Sequence, residues 1–133
     1  MIIHTTLRVL KKHINRAVEN LKENPYESIC KRCIMAEATL DMFPGCVVVF
    51  AYDDARIHPI ETYDKNKDSP ICAVLQVKNK NKVEKITGIA DEEFVNVKPT
   101  SFQCVIQTFD TPVDYETGLN CLSKLRSQYS DKN

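Results

Sequence analysis

Glycine is scarce in this chain, which has only three glycines, at positions 45, 88 and 118, among its 133 residues. A loop that cradles phosphate through backbone amides needs several glycines close together, so that kind of nucleotide-binding motif is excluded. No apolar run approaches the roughly 20 residues that a membrane-spanning helix requires. The 18 basic and 18 acidic side chains cancel, which argues against general binding to nucleic acid.

A length of 133 residues predicts one domain, residues 1–133. A domain of this size buries a hydrophobic core that does not need disulfides or metal ions to stabilise it. The first residues lead straight to Arg8, Lys11 and Lys12 and do not form the apolar segment of a signal peptide. We therefore expect a cytoplasmic protein with reduced cysteines.

The six cysteines do not form a recognisable framework. Cys46, Cys72 and Cys104 lie in apolar runs, where a reduced cysteine behaves as a small hydrophobic residue. Cys30 and Cys33 form a CxxC pair, for which a redox pair and half a zinc site are alternatives. The chain has no second CxxC and no paired histidines, and both thiols lie on a helical apolar stripe. Core packing is therefore the favoured interpretation, and no metal site is expected.

Apolar residues at spacings of three and four predict two N-terminal helices. The first would follow Thr5 or Thr6 as N-cap and end at Asn24-Pro25. The second would extend over about 26–42 and end at Pro44-Gly45.

Runs of β-branched and aromatic residues predict an antiparallel sheet of about five strands, so the expected class is α+β. The predicted strands are 46–52, 56–63, 71–77, 83–89 and 94–97. Residues 99–110 fit a strand or a short helix equally well, because Phe102, Cys104 and Ile106 alternate while Pro99 suits a helix start. A C-terminal helix is predicted over 114–128.

No catalytic motif is present. The chain has no GxSxG, HExxH or P-loop, and its histidines, at positions 4, 13 and 58, lack the spacing of metal ligands. We expect a protein that is not an enzyme and has no catalytic residues, metal or cofactor.

Arg56 is the only cation in residues 37–64, where six acidic residues surround it in sequence. Its position after a turn is consistent with a role in binding an anion, because a guanidinium fork matches phosphate oxygens. Amide, hydroxyl and carboxylate side chains could contact ribose, and an aromatic ring could stack on a base. The candidate ligand-binding residues are Arg56, Asn96, Thr100, Phe109, Asp110 and Asp114.

Several short segments resemble a group of small phage proteins. They are His13–Ala17, Cys33–Ala38, Phe43-Pro44-Gly45 with three following valines, Ala55–Ile57, and Pro99–Gln103 continuing to Phe109-Asp110. The last segment is similar to a "T-P-x-x-A-Q-x-A-L-x-x-F-D" pattern and favours a helix over 99–110. Phe102 and Thr108 depart from that pattern.

In size and layout the sequence resembles the anti-Thoeris sponge family of phage proteins. The resemblance implies binding without cleavage of a cyclic ADP-ribose-type signal, and in some members of cyclic oligonucleotides. It also implies a homodimer or higher homo-oligomer in the cytoplasm of an infected bacterial host. Within it, Arg56 and the Asp110 region match expected ligand contacts. Two alternatives remain. One is a protein-binding inhibitor of a host factor, which would act through the first helix or the lysines at 78–85. The other is a redox or zinc protein.

Overall fold

In a computed structural model of the chain, the structure describes residues 2–23, 33–60, 63–64 and 69–108. Its strands are β1 (Ile2–Val9), β2 (Cys46–Ala51), β3 (Asp54–Pro59), β4 (Ala73–Val77) and β5 (Thr100–Thr108). Its helices are α1 (Lys11–Glu23), α2 (Ile34–Leu40), α3 (Lys80–Thr87) and the 3-10 helix Asp91–Asn96.

The five strands form one antiparallel sheet in the order β1-β5-β4-β3-β2. The expected α+β class and the five-stranded antiparallel sheet are therefore confirmed. The set of strands differs from the predicted one at both ends of the chain. No strand was predicted at the N-terminus, where β1 lies, and β1 pairs with β5, whose region was ambiguous in the sequence.

The residues up to Val9 form a strand, whereas the first helix was predicted to begin near Thr5 or Thr6, so the predicted start of that helix was wrong. Ile3, Leu7 and Val9 are buried while His4 and Arg8 are exposed, which is the alternation of a strand. Leu7 fits both the strand and the helical stripe, and the long pairing with β5 decides between them. The helix begins only at Lys11.

The side chain of His13, in the first turn of α1, caps the start of that helix. The backbone N–H of Leu10 donates to Nδ1 of His13 at 2.9 Å, where a capping box would use a glutamate or glutamine. Thr5 and Thr6, the predicted N-caps, lie within β1 instead.

The second predicted helix, 26–42, is described only from residue 33. There α2 begins after Cys33, whose thiol accepts a hydrogen bond from the N–H of Ala36 at 3.4 Å. The helix ends at Leu40, and Gly45 has a φ of 80°, which glycine adopts without a steric penalty. The predicted stop at Pro44-Gly45 is thus close to the observed end.

The middle strands agree with the sequence. The prediction of strands at 46–52 and 71–77 is confirmed by β2 and β4, and the strand predicted at 56–63 is confirmed over residues 56–59 by β3. β3 ends at Pro59, and Ile60 does not continue it.

Two predicted strands were wrong. Residues 83–89 do not form a hairpin partner, because Asn79 caps α3 by accepting from the N–H of Lys82 at 3.1 Å. Val83 and Ile86 are buried three residues apart, as on a helix. Residues 94–97 belong to the 3-10 helix and its end.

The region 99–110 was ambiguous in the sequence, and the resemblance favoured a helix. The structure has strand β5 from Thr100 to Thr108, which pairs with β1 on one side and β4 on the other. The expectation of a helix there was wrong. The predicted helix 114–128 lies outside the described residues.

The helices cover one face of the sheet. Contacts join α1 to α2, and α2 to β1, β2 and α3, while the 3-10 helix packs on α1. The core between the layers includes the fully buried side chains of Leu7, Ile14, Met35, Phe43 and Leu75. None of the helices that the structure describes is long and apolar enough to cross a membrane.

Candidate functional site

The sheet face opposite the helices, here called the outer face, carries the candidate residue Arg56. Strand residues that alternate with the core-facing ones point to it. Arg56 is exposed there, directly between Val49 of β2 and Val74 of β4. Because β3 is the second strand from the edge, Arg56 has a paired strand on each side and does not project from a loop.

The side chains on the neighbouring strands around Arg56 are uncharged, and they include both apolar and polar residues. Val49, Val74 and, one strand further, Val105 are half-buried, while the amides of Gln76 and Gln107 are exposed. These neighbours provide apolar contact area and hydrogen-bond donors and acceptors on one face of the sheet.

The guanidinium of Arg56 has no acidic partner among the residues that the structure describes. Ion pairs between those residues are all made by Asp41, which lies at the end of α2. Asp54 is two residues before Arg56 on the same face, yet no ion pair joins them within residues 33–60. The fork of donors on Arg56 is therefore available for an external anion.

Asn96 and Thr100 lie away from Arg56. Asn96 ends the 3-10 helix that packs on α1, and its amide donates to Oε2 of Glu93 at 2.9 Å. Thr100 pairs with buried Val9 and points to the helix side of the sheet. The structure does not bring these two residues together with Arg56. Phe109, Asp110 and Asp114 lie outside the described residues.

An apolar cavity between the helices and the sheet was missed by sequence reasoning. Its volume is about 150 Å³, and its lining includes Cys33, Met35, Phe50, Ile86 and Phe94. Because these side chains come from β2, α2, α3 and the 3-10 helix, no local sequence pattern indicates that they meet.

Tyr52 stands beside this cavity in an unusual conformation. It is the first residue of the two-residue turn between β2 and β3, with a φ of 62° and an exposed fraction of 88%. Hairpin turns usually place glycine, asparagine or aspartate where φ is positive, so the tyrosine strains the turn.

A second cluster that the sequence did not indicate surrounds Asp41. Its carboxylate accepts hydrogen bonds from Nε2 of His13 at 2.6 Å and from Arg16 at 3.3 Å, and Lys12 lies 2.8 Å away. Burial, the largest single influence, raises the pKa of Asp41. Hydrogen bonds from Lys12 and His13, and attraction to the charge of Lys12, outweigh burial and lower that pKa from 3.8 to about 2.

The His13–Asp41 pair does not have the geometry of a catalytic dyad. Nδ1 of His13 accepts from the N–H of Leu10, which assigns the proton to Nε2, facing Asp41. Both ring nitrogens are thus occupied within the protein, and no lone pair is left to take a proton from a substrate. The pair joins α1 to α2.

The cysteines that the structure describes are thiols. Cys46, Cys72 and Cys104 are buried, as the sequence predicted, and burial raises the pKa of Cys104 to about 11. Cys33 is the N-cap of α2, whereas Cys30 lies outside the described residues. No group of three or more histidine, cysteine or acidic side chains suited to a metal ion occurs among residues 2–23, 33–60, 63–64 and 69–108.

Comparison of the chain with family models, with curated protein sequences and with solved structures produced no match.

Proposed function

We propose that this protein is a non-enzymatic phage anti-defence protein that binds and sequesters a cyclic nucleotide immune signal. The ligand class is cyclic ADP-ribose-type molecules, with cyclic oligonucleotides as a second class to test. It would act in the cytoplasm of an infected bacterial host. The proposal combines the resemblance of the sequence to the anti-Thoeris sponge family with the setting of Arg56.

The observation that carries the proposal is the position of Arg56 on the outer face. An arginine without a carboxylate partner among the described residues, set between Val49 and Val74, suits a ligand that is both anionic and partly apolar. A phosphate would accept two parallel hydrogen bonds from the guanidinium, and the base or ribose would lie on the valines. Gln76 and Gln107 supply amides for the polar edges of the ligand.

Sequestration requires slow release of the ligand. An open sheet surface alone exposes a small ligand to solvent, so we propose that a second copy of the chain covers the outer face. The ligand would then be buried between two copies, consistent with the predicted homodimer or higher homo-oligomer. A two-fold arrangement would bring both copies of Arg56 to the same interface.

The test is calorimetric titration of the protein with cyclic ADP-ribose-type nucleotides and with cyclic dinucleotides. Arg56→Ala should weaken binding roughly ten- to a hundredfold, because it removes about 1.5–3 kcal/mol of charge-assisted hydrogen bonding. Arg56→Lys should recover only part of the affinity, since an ammonium lacks the planar fork. Lys22→Ala, an exposed change at the end of α1, is the control and should bind like the wild type.

Chromatography of the nucleotide after release from heat-denatured protein separates binding from turnover. We expect the ligand to be recovered intact. Conversion of the nucleotide would contradict the non-enzymatic role, and failure of the wild type to bind any of these nucleotides would overturn the proposed function. Equal affinity of the wild type and Arg56→Ala would leave a binding protein whose site is elsewhere.

A further inference from the structure

A cleft of about 590 Å³ lies where the end of β4 and the start of α3 meet the first residues of β5. Its lining includes Lys78, Asn79, Lys80, Lys82, Ser101 and Gln103. This volume is within the range of about 300–1,000 Å³ that is typical of small-molecule sites.

Hydrogen bonds hold the two walls of the cleft together. The N–H of Lys78 donates to the carbonyl of Gln103 at 2.9 Å, and Lys82 donates through Nζ to the carbonyl of Ser101. The same ammonium lies 4.6 Å from the centre of the Phe102 ring. The ammonium of Lys82, which lines the cleft, thus already interacts with Ser101 and Phe102.

Lys78 and Lys80 have no such engagement. Both are exposed, and neither has an ion-pair partner within residues 69–108 or elsewhere in the described part of the chain. Glu84, one turn after Lys80 on α3, forms no ion pair with it either. Two ammonium groups therefore stand at the cleft without a neutralising carboxylate.

Arg8 adds a third cation from another strand. The pairing of β1 with β5 places Arg8 directly opposite Ser101, on the same face of the sheet and next to the cleft. Arg8 is exposed, like the two lysines, and it too has no acidic partner among the described residues. Residues from three parts of the chain thus bring positive charge to the cleft and its edge.

Uncharged hydrogen-bond donors complete the cleft. Oδ1 of Asn79 caps α3, which leaves its amide nitrogen to donate. The first helical residues, Lys80 and Asn81, have N–H groups without a partner inside the helix. The amide of Gln103 is exposed on the opposite wall.

We propose that this cleft is a binding site for a ligand with two or more adjacent phosphates, such as a nucleoside di- or triphosphate. The three cations match the three or four negative charges of such a group better than the smaller charge of a single phosphate. Lysine binds phosphate as a point charge, and arginine adds a bidentate fork.

The site is distinct from the Arg56 surface. Val74, which pairs with Arg56, lies four residues before Lys78, about 13 Å along the chain at 3.3 Å per strand residue. The inference therefore does not depend on the proposed function and can fail or hold separately from it.

The experiment is calorimetric titration with inorganic tripolyphosphate, pyrophosphate and orthophosphate. The wild type should bind tripolyphosphate at least tenfold more tightly than orthophosphate. The double variant Lys78→Ala/Lys80→Ala should lose at least tenfold in affinity for tripolyphosphate, and Arg8→Ala severalfold. The double variant Lys22→Ala/Lys85→Ala removes two exposed lysines outside the cleft and should stay within twofold of the wild type.

Several results would overturn the inference. One is that the wild type does not bind tripolyphosphate. Another is that the two double variants lose the same affinity for it. A third is that Arg56→Ala loses affinity for tripolyphosphate while Lys78→Ala/Lys80→Ala does not. Equal affinity for orthophosphate would also contradict it, as would binding of an RNA oligomer without binding of tripolyphosphate. Thermal melts check that each variant folds, and Lys78→Gln/Lys80→Gln replaces the alanine pair if that pair does not.

Discussion

Nε2 of His13 lies 2.6 Å from Oδ2 of Asp41, which joins the first turn of α1 to the residue that caps the end of α2. His13 is 2% exposed, so its ring depends on this partner and on the N–H of Leu10 for its hydrogen bonds. The carboxylate also draws in Lys12 and Arg16, and thereby places four side chains at one helix junction.

Asp41→Ala should lower the free energy of unfolding by about 1–3 kcal/mol, because it leaves the buried His13 nitrogen without an acceptor. Urea unfolding followed by circular dichroism measures the loss. Glu19→Ala, at an exposed position of α1, is the control and should stay within about 0.5 kcal/mol. Equal stability of Asp41→Ala and the wild type would show that the junction does not stabilise the fold.

The stability of the protein should fall as the pH decreases from about 4 to 2. The pKa of Asp41 is about 2 in the folded chain and 3.8 in the unfolded chain, so in this window the unfolded chain binds more protons. The stabilisation from this carboxylate is fully present above pH 4 and is lost as the pH falls through 2. Urea unfolding at several pH values should show a shallower dependence for Asp41→Asn than for the wild type. Identical slopes would contradict this origin.

Cys33→Ala should lower the free energy of unfolding by about 0.5–2 kcal/mol, since it removes the side-chain cap of α2. Cys33→Ser should be the more stable of the two variants, because a serine hydroxyl also caps a helix. Nucleotide binding should persist in both. The prediction fails if the alanine variant is the more stable, or if binding is lost at an unchanged melting temperature.

Tyr52→Gly should raise the free energy of unfolding by about 0.5–1 kcal/mol, because glycine adopts a positive φ without strain. Tyr52→Val should lower it by about 1 kcal/mol, since a β-branched side chain tolerates that backbone poorly. Because the tyrosine is 88% exposed, lost contacts contribute little to either change. Denaturant unfolding of the pair tests this, and the reverse order would be inconsistent with strain at Tyr52.

Light scattering should give at least twice the chain mass of 15.2 kDa at micromolar concentrations. The apolar side of α1 does not form the interface between copies, because Ile14 and Ala17 pack into the core of their own chain. The proposed interface is the outer face, so Val49→Lys together with Val74→Lys should dissociate the oligomer. A mass of one chain throughout this range would contradict the assembly.

The candidate site was predictable only in part. Arg56 could be identified because it is an isolated cation after a turn, and the structure places it exposed on a strand. Asn96 and Thr100 could not be placed by sequence, because the side of the sheet on which a residue lies depends on register and layer order. The basic cleft was visible only as a run of lysines, since Ser101 and Gln103 reach it through the pairing of β4 with β5.

Local sequence patterns were sufficient to predict the α+β class, the central strands β2, β3 and β4, and the burial of Cys46, Cys72 and Cys104. These features follow from local side-chain periodicity and from turn residues between neighbouring segments. The strands Ile2–Val9 and Thr100–Thr108 depend on tertiary pairing, since each has its hydrogen-bond partner at the other end of the described chain. The same applies to Lys80–Thr87, where one cap at Asn79 and two buried side chains outweigh the appearance of a hairpin turn. Pairing and packing over long sequence distances supply the free energy that local patterns leave undecided.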